Sequence, residues 1–146
     1  MNRKKRSQKG AVAVELAVTL PVLLLFLVTI FDLGLLLRSH QVISNAAREG
    51  AHFSALPKNY VGVTNPSASL AAIRQHVVDY CAEEGVAIDS SEVSVDQTTQ
   101  VNVTSGTVQG STITVSVDRP LLFLRGFSGG SSTVTLGSEA TFVNLY

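Results

Sequence analysis

The sequence predicts an α+β protein: a long N-terminal helix, then a second helix packed on a small antiparallel sheet. Three observations carry this. An apolar run fills Ala11–Leu37, helical spacing of apolar and small residues continues to about residue 55, and from Glu92 onward the hydrophobic period becomes two. With 146 residues, the chain has room for about one domain beside such a helix.

The apolar run comes first. Of the 27 residues Ala11–Leu37, only Glu15, Thr19, Pro21, Thr29, Asp32 and Gly34 are not apolar. Sixteen uncharged residues separate Glu15 from Asp32. At a helical rise of ~1.5 Å per residue, Ala11 to Asp32 covers about 32 Å, the thickness of a bilayer's hydrocarbon core. Glu15 and Asp32 are then expected near opposite interfaces, where their carboxylates reach water or headgroups. Pro21 is expected to kink or loosen the span.

Charge gives the orientation. Eleven basic and eleven acidic side chains sum to zero, which argues against a nucleic-acid binder. The distribution is nevertheless polarised: Arg3, Lys4, Lys5, Arg6 and Lys9 precede the span, and the rest of the chain holds six basic and eleven acidic groups. Five cations on the N-terminal side against Arg38 on the other keep the N-terminus cytoplasmic and place the remainder outside the membrane. A cleaved secretory signal is the competing reading, but the run exceeds an h-region and no A-x-A-like site follows it.

Beyond the span, Ile43, Ala46, Ala47, Gly50 and Phe53–Ser54 keep the helix going to about residue 55, and Pro57 is expected to end it. The small residues suit close packing, either inside the domain or between subunits. Lys58–Pro66 reads as a loop. A second helix is expected from Ser67 or Ser69 as N-cap, with Leu70, Ile73, Val77 and Cys81 on one face and Gly85 as C-cap. Glu83 and Glu84 oppose the dipole at its end, so fraying is expected there.

Val93 and Val95, Val101 and Val103, Ile113 to Val117, and Val134 and Leu136 alternate with polar residues, predicting three or four strands with one wet face. After Arg119-Pro120, the run Leu121–Leu124 is apolar without periodicity; it can dip into the core, lie on the membrane surface or meet a partner, and the core is the preferred expectation. A domain of this size without disulfides needs every apolar contact. The organisation expected is therefore a basic leader over 1–10, a transmembrane helix over 11–37, its continuation over 38–56 and an extracytoplasmic α+β head over 57–146.

Chemistry is sparse. Cys81 is the single cysteine, which excludes an internal disulfide and suits a small buried residue. His40, His52 and His76 are not spaced as helical ligand pairs, and His76 and Cys81 fall on different helix faces. No nucleotide-binding, zinc-protease or serine-hydrolase motif is present. Asn102-Val-Thr104 matches a three-residue glycosylation pattern of little weight. No enzyme activity, metal or cofactor is expected.

Hydropathy alone asks for neither Gly10 directly before the run nor Glu15 five residues beyond it. A glycine lets a protease close around the backbone. Cutting after Gly10 exposes an α-amine on Ala11 that Glu15, one turn further, can neutralise. The basic leader, Gly10, four small apolar residues and Glu15 resemble the class III signal of type IV pilin-like proteins. The run from Gly10 through Pro21 to Asp32-Leu-Gly34, with Gln41–Ala51, resembles the TadE-like family more specifically, although Leu16 stands where that family usually has an aromatic residue and Leu35 where many members are basic. The resemblance implies a pilin-like pseudopilin of the tight-adherence (Flp) pilus system in the bacterial cytoplasmic membrane, single-pass and involved in adhesion. It implies cleavage between Gly10 and Ala11 by a prepilin peptidase, assembly through Glu15, and the lipid bilayer and other pilus subunits as partners. An uncleaved, signal-anchored extracytoplasmic binding domain is the alternative reading. A membrane-tethered enzyme would need the histidines or acids to converge.

Overall fold

The computed structural model describes residues 3–55, 66–104, 106–121 and 133–143. Their order is a helix α1 (Arg3–Ala55), a helix α2 (Pro66–Glu83), a single 3-10 turn (Ser90–Glu92) and strands β1 (Val93–Val103), β2 (Gly106–Pro120) and β3 (Thr133–Val143). The strands form one antiparallel sheet in the order β1-β2-β3. The α+β class expected from the sequence is thus the one observed. Two compact units divide the chain, and the boundary falls inside α1 between Leu35 and Leu36.

In the first unit, α1 is exposed over most of its surface from Gly10 on, apart from the face of Val28 and Asp32. Leu16, Leu23, Phe26, Ile30 and Phe31 each show more than half of their surface. Among the described residues it is the one helix long and apolar enough to cross a membrane. The helix begins at Arg3, eight residues before the expected start, and Pro21 lies inside it. Thr19 and Thr29 satisfy their hydroxyls on their own helix. Thr19 Oγ1 donates to the Glu15 carbonyl at 3.0 Å, and Thr29 Oγ1 to that of Leu25 at 2.9 Å. A hydroxyl bonded this way carries no unsatisfied donor into lipid.

The second unit is a packed head. Val42, Ile43, Ala46, Ala47 and Ala51 of α1, Ile73, Val77 and Cys81 of α2, and Val93, Ile113, Val115, Val117 and Leu136 of the sheet form its core. The small residues of α1 therefore pack within the domain. Gly50 shows why they must be small: a Cβ there would collide with Val77 Cγ2 and sit 3.5 Å from Ile113 Cγ2. Val77 is fully buried and β-branched, so it has few rotamers with which to yield.

Helix α2 starts at Pro66, not after a Ser67 or Ser69 cap; both serines lie within it. Proline at the first helical position has no N–H to lose and a preset φ. The other end does not fray. The Val86 N–H donates to the Cys81 carbonyl at 2.8 Å and the Gly85 N–H to that of Ala82 at 3.0 Å, with Gly85 at φ 77°. This is a Schellman cap, and its two apolar partners, Val86 and Cys81, are both core residues. The last carbonyls are satisfied despite Glu83 and Glu84.

The sheet departs from simple alternation. Val93 and Val95 pair with Val115 and Ile113 and share their helix-facing side. Asp96 pairs with Thr112 but Thr99 with Gly110, so β1 holds one extra residue there. The bulge joins what read as two separate valine runs into one strand. It also turns Val101 and Val103 to the face opposite Val93 and Val95. Pro57 and Leu122–Leu124 lie outside the described residues.

Gly50→Ala should lower unfolding free energy by about 1–3 kcal/mol through overpacking. Gly34→Ala, where a Cβ meets nothing within 4 Å, should leave it unchanged or slightly raised. Urea titration of the purified protein in detergent, followed by circular dichroism, measures both. Equal midpoints for the two variants would refute the close approach.

Candidate processing and assembly site

Gly10, Ala11 and Glu15 lie in consecutive turns of α1, and all three are exposed. A Cβ on Gly10 would meet nothing within 4 Å, so no neighbour in the fold demands glycine there. Gly10 is also a weak point: glycine costs a helix interior about 1 kcal/mol relative to alanine. Ala11 and Glu15 are four residues apart and therefore share one face. The Glu15 carbonyl takes the Thr19 hydroxyl, while the carboxylate faces outward. Six residues past Glu15, Pro21 has no N–H for the carbonyl of Ala17, so the helix is weakest in the segment that begins one turn above this site.

Asp32 does not behave as its sequence position suggested. It is 4% exposed, between Phe31 at 62% and Leu33 at 54%. It is engaged with its surroundings and does not reach out to water or headgroups. Only Glu15 of the two span acids is an open carboxylate.

The histidines do not converge. His52 meets Phe142 edge to face, with ring centroids 5.9 Å apart. His76 stacks on Phe53 at 4.4 Å, with its Nε2 3.6 Å from Glu49 Oε1. That separation is too long for a hydrogen bond, and the pair is half-exposed, so it contributes little. Sequence spacing gave no sign of the His76–Phe53–Glu49 contact, because it joins residues of α1 to a residue of α2 more than twenty positions away. Among the described residues no three His, Cys, Asp or Glu side chains gather as a metal site.

Acids at the edge of the head serve local structure. Asp89 caps the 3-10 turn, accepting from the Ser91 N–H at 2.9 Å, while Glu92 accepts from the Asp89 N–H at 2.8 Å. The Ser91 bonds hold the Asp89 carboxyl below its usual range. Asp96 accepts from both the hydroxyl and the N–H of Thr98, at 2.7 and 2.8 Å, which likewise lowers its pKa and stabilises the bulge. Cys81 is fully buried; desolvation raises its thiol pKa, partly offset by the Arg119 charge.

Residues 10–52 match the family model described as TadE-like protein. That segment runs from Gly10 to three residues before the end of α1. No curated protein and no solved structure matches the chain.

Burial and a raised pKa should keep Cys81 inert. Maleimide labelling of the native protein at neutral pH should be slow and become fast in denaturant. Rapid native labelling would contradict the packing of α2 on the sheet.

Proposed function

We propose, from the match of residues 10–52 to the TadE-like family model, that the chain is a pseudopilin: a minor, pilin-like subunit supporting assembly of a tight-adherence pilus. The family is pilus-associated and structural, which fits a chain whose described polar groups cap, pair and pack. The observation that carries the reading is the position of Gly10 and Glu15, both exposed, at the threshold of an apolar helix of membrane length.

In this reading a prepilin peptidase cuts between Gly10 and Ala11 on the cytoplasmic face. Gly10 aids that step because the bond must leave the helix to enter a protease, and glycine gives up helical geometry most cheaply after proline. The cut removes five cations from a helix N-terminus, where positive charge is unfavourable. The single new α-amine on Ala11 lies one turn from Glu15.

The carboxylate then has an electrostatic task. An acid carried to the middle of a membrane helix costs roughly 3 kcal/mol. Pairing with an α-amine, of its own chain or of a neighbour, offsets that cost as helices associate. Glu15 would in this way set the register between subunits, with the head outside the cytoplasmic membrane making partner contacts.

Mass spectrometry of the membrane-extracted protein should find Ala11 as the first residue, giving a chain of 136 residues. An intact Met1 would favour the uncleaved, signal-anchored binding domain, and a cut beyond Leu37 would favour an ordinary exported protein. Glu15→Gln and Glu15→Ala should leave the protein in the membrane fraction while reducing the pili recovered from sheared cells. Normal piliation in both variants would remove Glu15 from assembly.

A further inference from the structure

The two helices of the head pack on the same face of the sheet and turn opposite charges outward. On α1, opposite the core residues, Arg38, Gln41, Asn45, Arg48 and His52 follow at spacings of three and four, all exposed, and form one stripe. No acid stands between Asp32 and Glu49, and Glu49 lies beside the stripe, toward His76. Neither Arg38 nor Arg48 has an ion pair among the described residues. The exposed face of α2 carries Gln75, Asp79, Ala82 and Glu83, with Glu84 just beyond, while Arg74 keeps its Nε buried. Asp79 accepts from Gln75 Nε2 at 2.7 Å, which holds its carboxylate on this face. Between Arg74 and Arg119 there is no lysine or arginine.

The two faces also match in height. His76 meets Glu49 and Phe53, and Val77 lies at the position of Gly50, so this turn of α2 is level with residues 49–53 of α1. Strand β2 gives the sense of the helices. Its Gly110 lies beside Phe142, which meets His52, whereas Ile113 lies at Gly50 and Arg119 bonds the Ala87 carbonyl past the end of α2. Helices α1 and α2 are therefore antiparallel. Counting along both from the shared turn brings Asp79 about level with Arg48, and Glu83 between Arg48 and Arg38.

We infer that the exposed faces of α1 and α2 form a homotypic contact, in which the α1 stripe of each copy packs on the α2 face of the other. Two copies anchored in one membrane through α1 stand the same way up, so a twofold axis relating them runs along the membrane normal. Stacking the two helix layers about such an axis sets α1 on α2 of the second copy, twice over, and leaves the two α1 helices diagonal. Arg48 then meets Asp79 at equal height, and like charges are kept apart. An anionic lipid suits the stripe less well. Arg48 lies ten residues, about 15 Å, beyond Arg38, whereas headgroups extend only about 5–8 Å past the hydrocarbon. The inference rests on the reading of α1 as a membrane anchor; it needs neither cleavage at Gly10 nor the Glu15 amine pair.

The test uses membranes of cells expressing two differently tagged copies of the full-length chain, one with Asn45→Cys and one with Ala82→Cys. Both positions are exposed and level across the contact, and Cys81 is buried. A bis-maleimide of about 10 Å reach, the spacing of packed helices, should join them about fivefold faster than a pair carrying Asn45→Cys and Ser116→Cys. Ser116 is exposed on the far face of the sheet. Arg48→Asp or Asp79→Arg, placed in both copies, should each cut the adduct about fivefold, and the two together should restore it. Equal rates for the two cysteine pairs, or no recovery in the doubly reversed chain, overturns the inference. An adduct with a different protein, or one that forms in anionic but not in zwitterionic vesicles, overturns the choice of a second copy. Recovery of the chain outside the membrane fraction overturns the anchoring premise separately, and pilus yield plays no part in the test.

Discussion

The head depends on how closely α1 approaches Val77 of α2 and Ile113 of β2. Gly50 sets that distance, and Ala46, Ala47 and Ala51 keep it short along the neighbouring turns. Small residues bury little apolar area themselves. Their contribution is to let Ile43, Val77, Ile113 and Val115 meet across the helix–sheet interface at full contact. A domain of this size with no disulfide has little else to draw on. The Schellman cap serves the same core, since it seats Val86 over Cys81 while satisfying the carbonyls at the end of α2.

The same helix has two different surfaces. From Ala11 to Phe31 almost all its apolar side chains are exposed, as they would be against lipid. From Leu36 on, one stripe is buried while Arg38, Gln41, Asn45, Arg48 and His52 occupy the other side. A helix that crosses a membrane has lipid as its partner, so the exposed leucines and phenylalanines of α1 fit a helix long and apolar enough to span one. Asp32 marks the change of regime: among the described residues it is the first buried polar side chain met along the helix from its N-terminal end.

Much of this was legible in the sequence because it is written in linear order. The span follows from a run of apolar residues, the α2 terminus from Gly85, and the candidate processing site from the spacing of Gly10, Ala11 and Glu15. Tertiary facts were not legible to the same degree. The burial of Asp32 depends on what surrounds one face of α1, and the stack of His76 on Phe53 depends on the packing of α2. Ser67 and Ser69 are good caps by type, yet Pro66 in front of them is an equally good first helical residue, and composition does not rank the two.

The bulge at Asp96–Thr99 is the most consequential feature that alternation concealed. Odd-numbered valines at 93, 95, 101 and 103 look like one face of one strand, or of two strands on the same core. The extra residue divides them between both faces of the sheet. Asp96 supplies the local cause by holding the N–H and hydroxyl of Thr98, which gives the unpaired backbone a partner at the point where the ladder breaks. In a regular strand Val101 and Val103 would turn to the helix side and polar neighbours such as Gln100 and Asn102 would take the outer face. That arrangement would leave the outer face wet and self-sufficient. A carboxylate–threonine pair of little energetic weight thereby helps decide on which face of the sheet Val101 and Val103 lie.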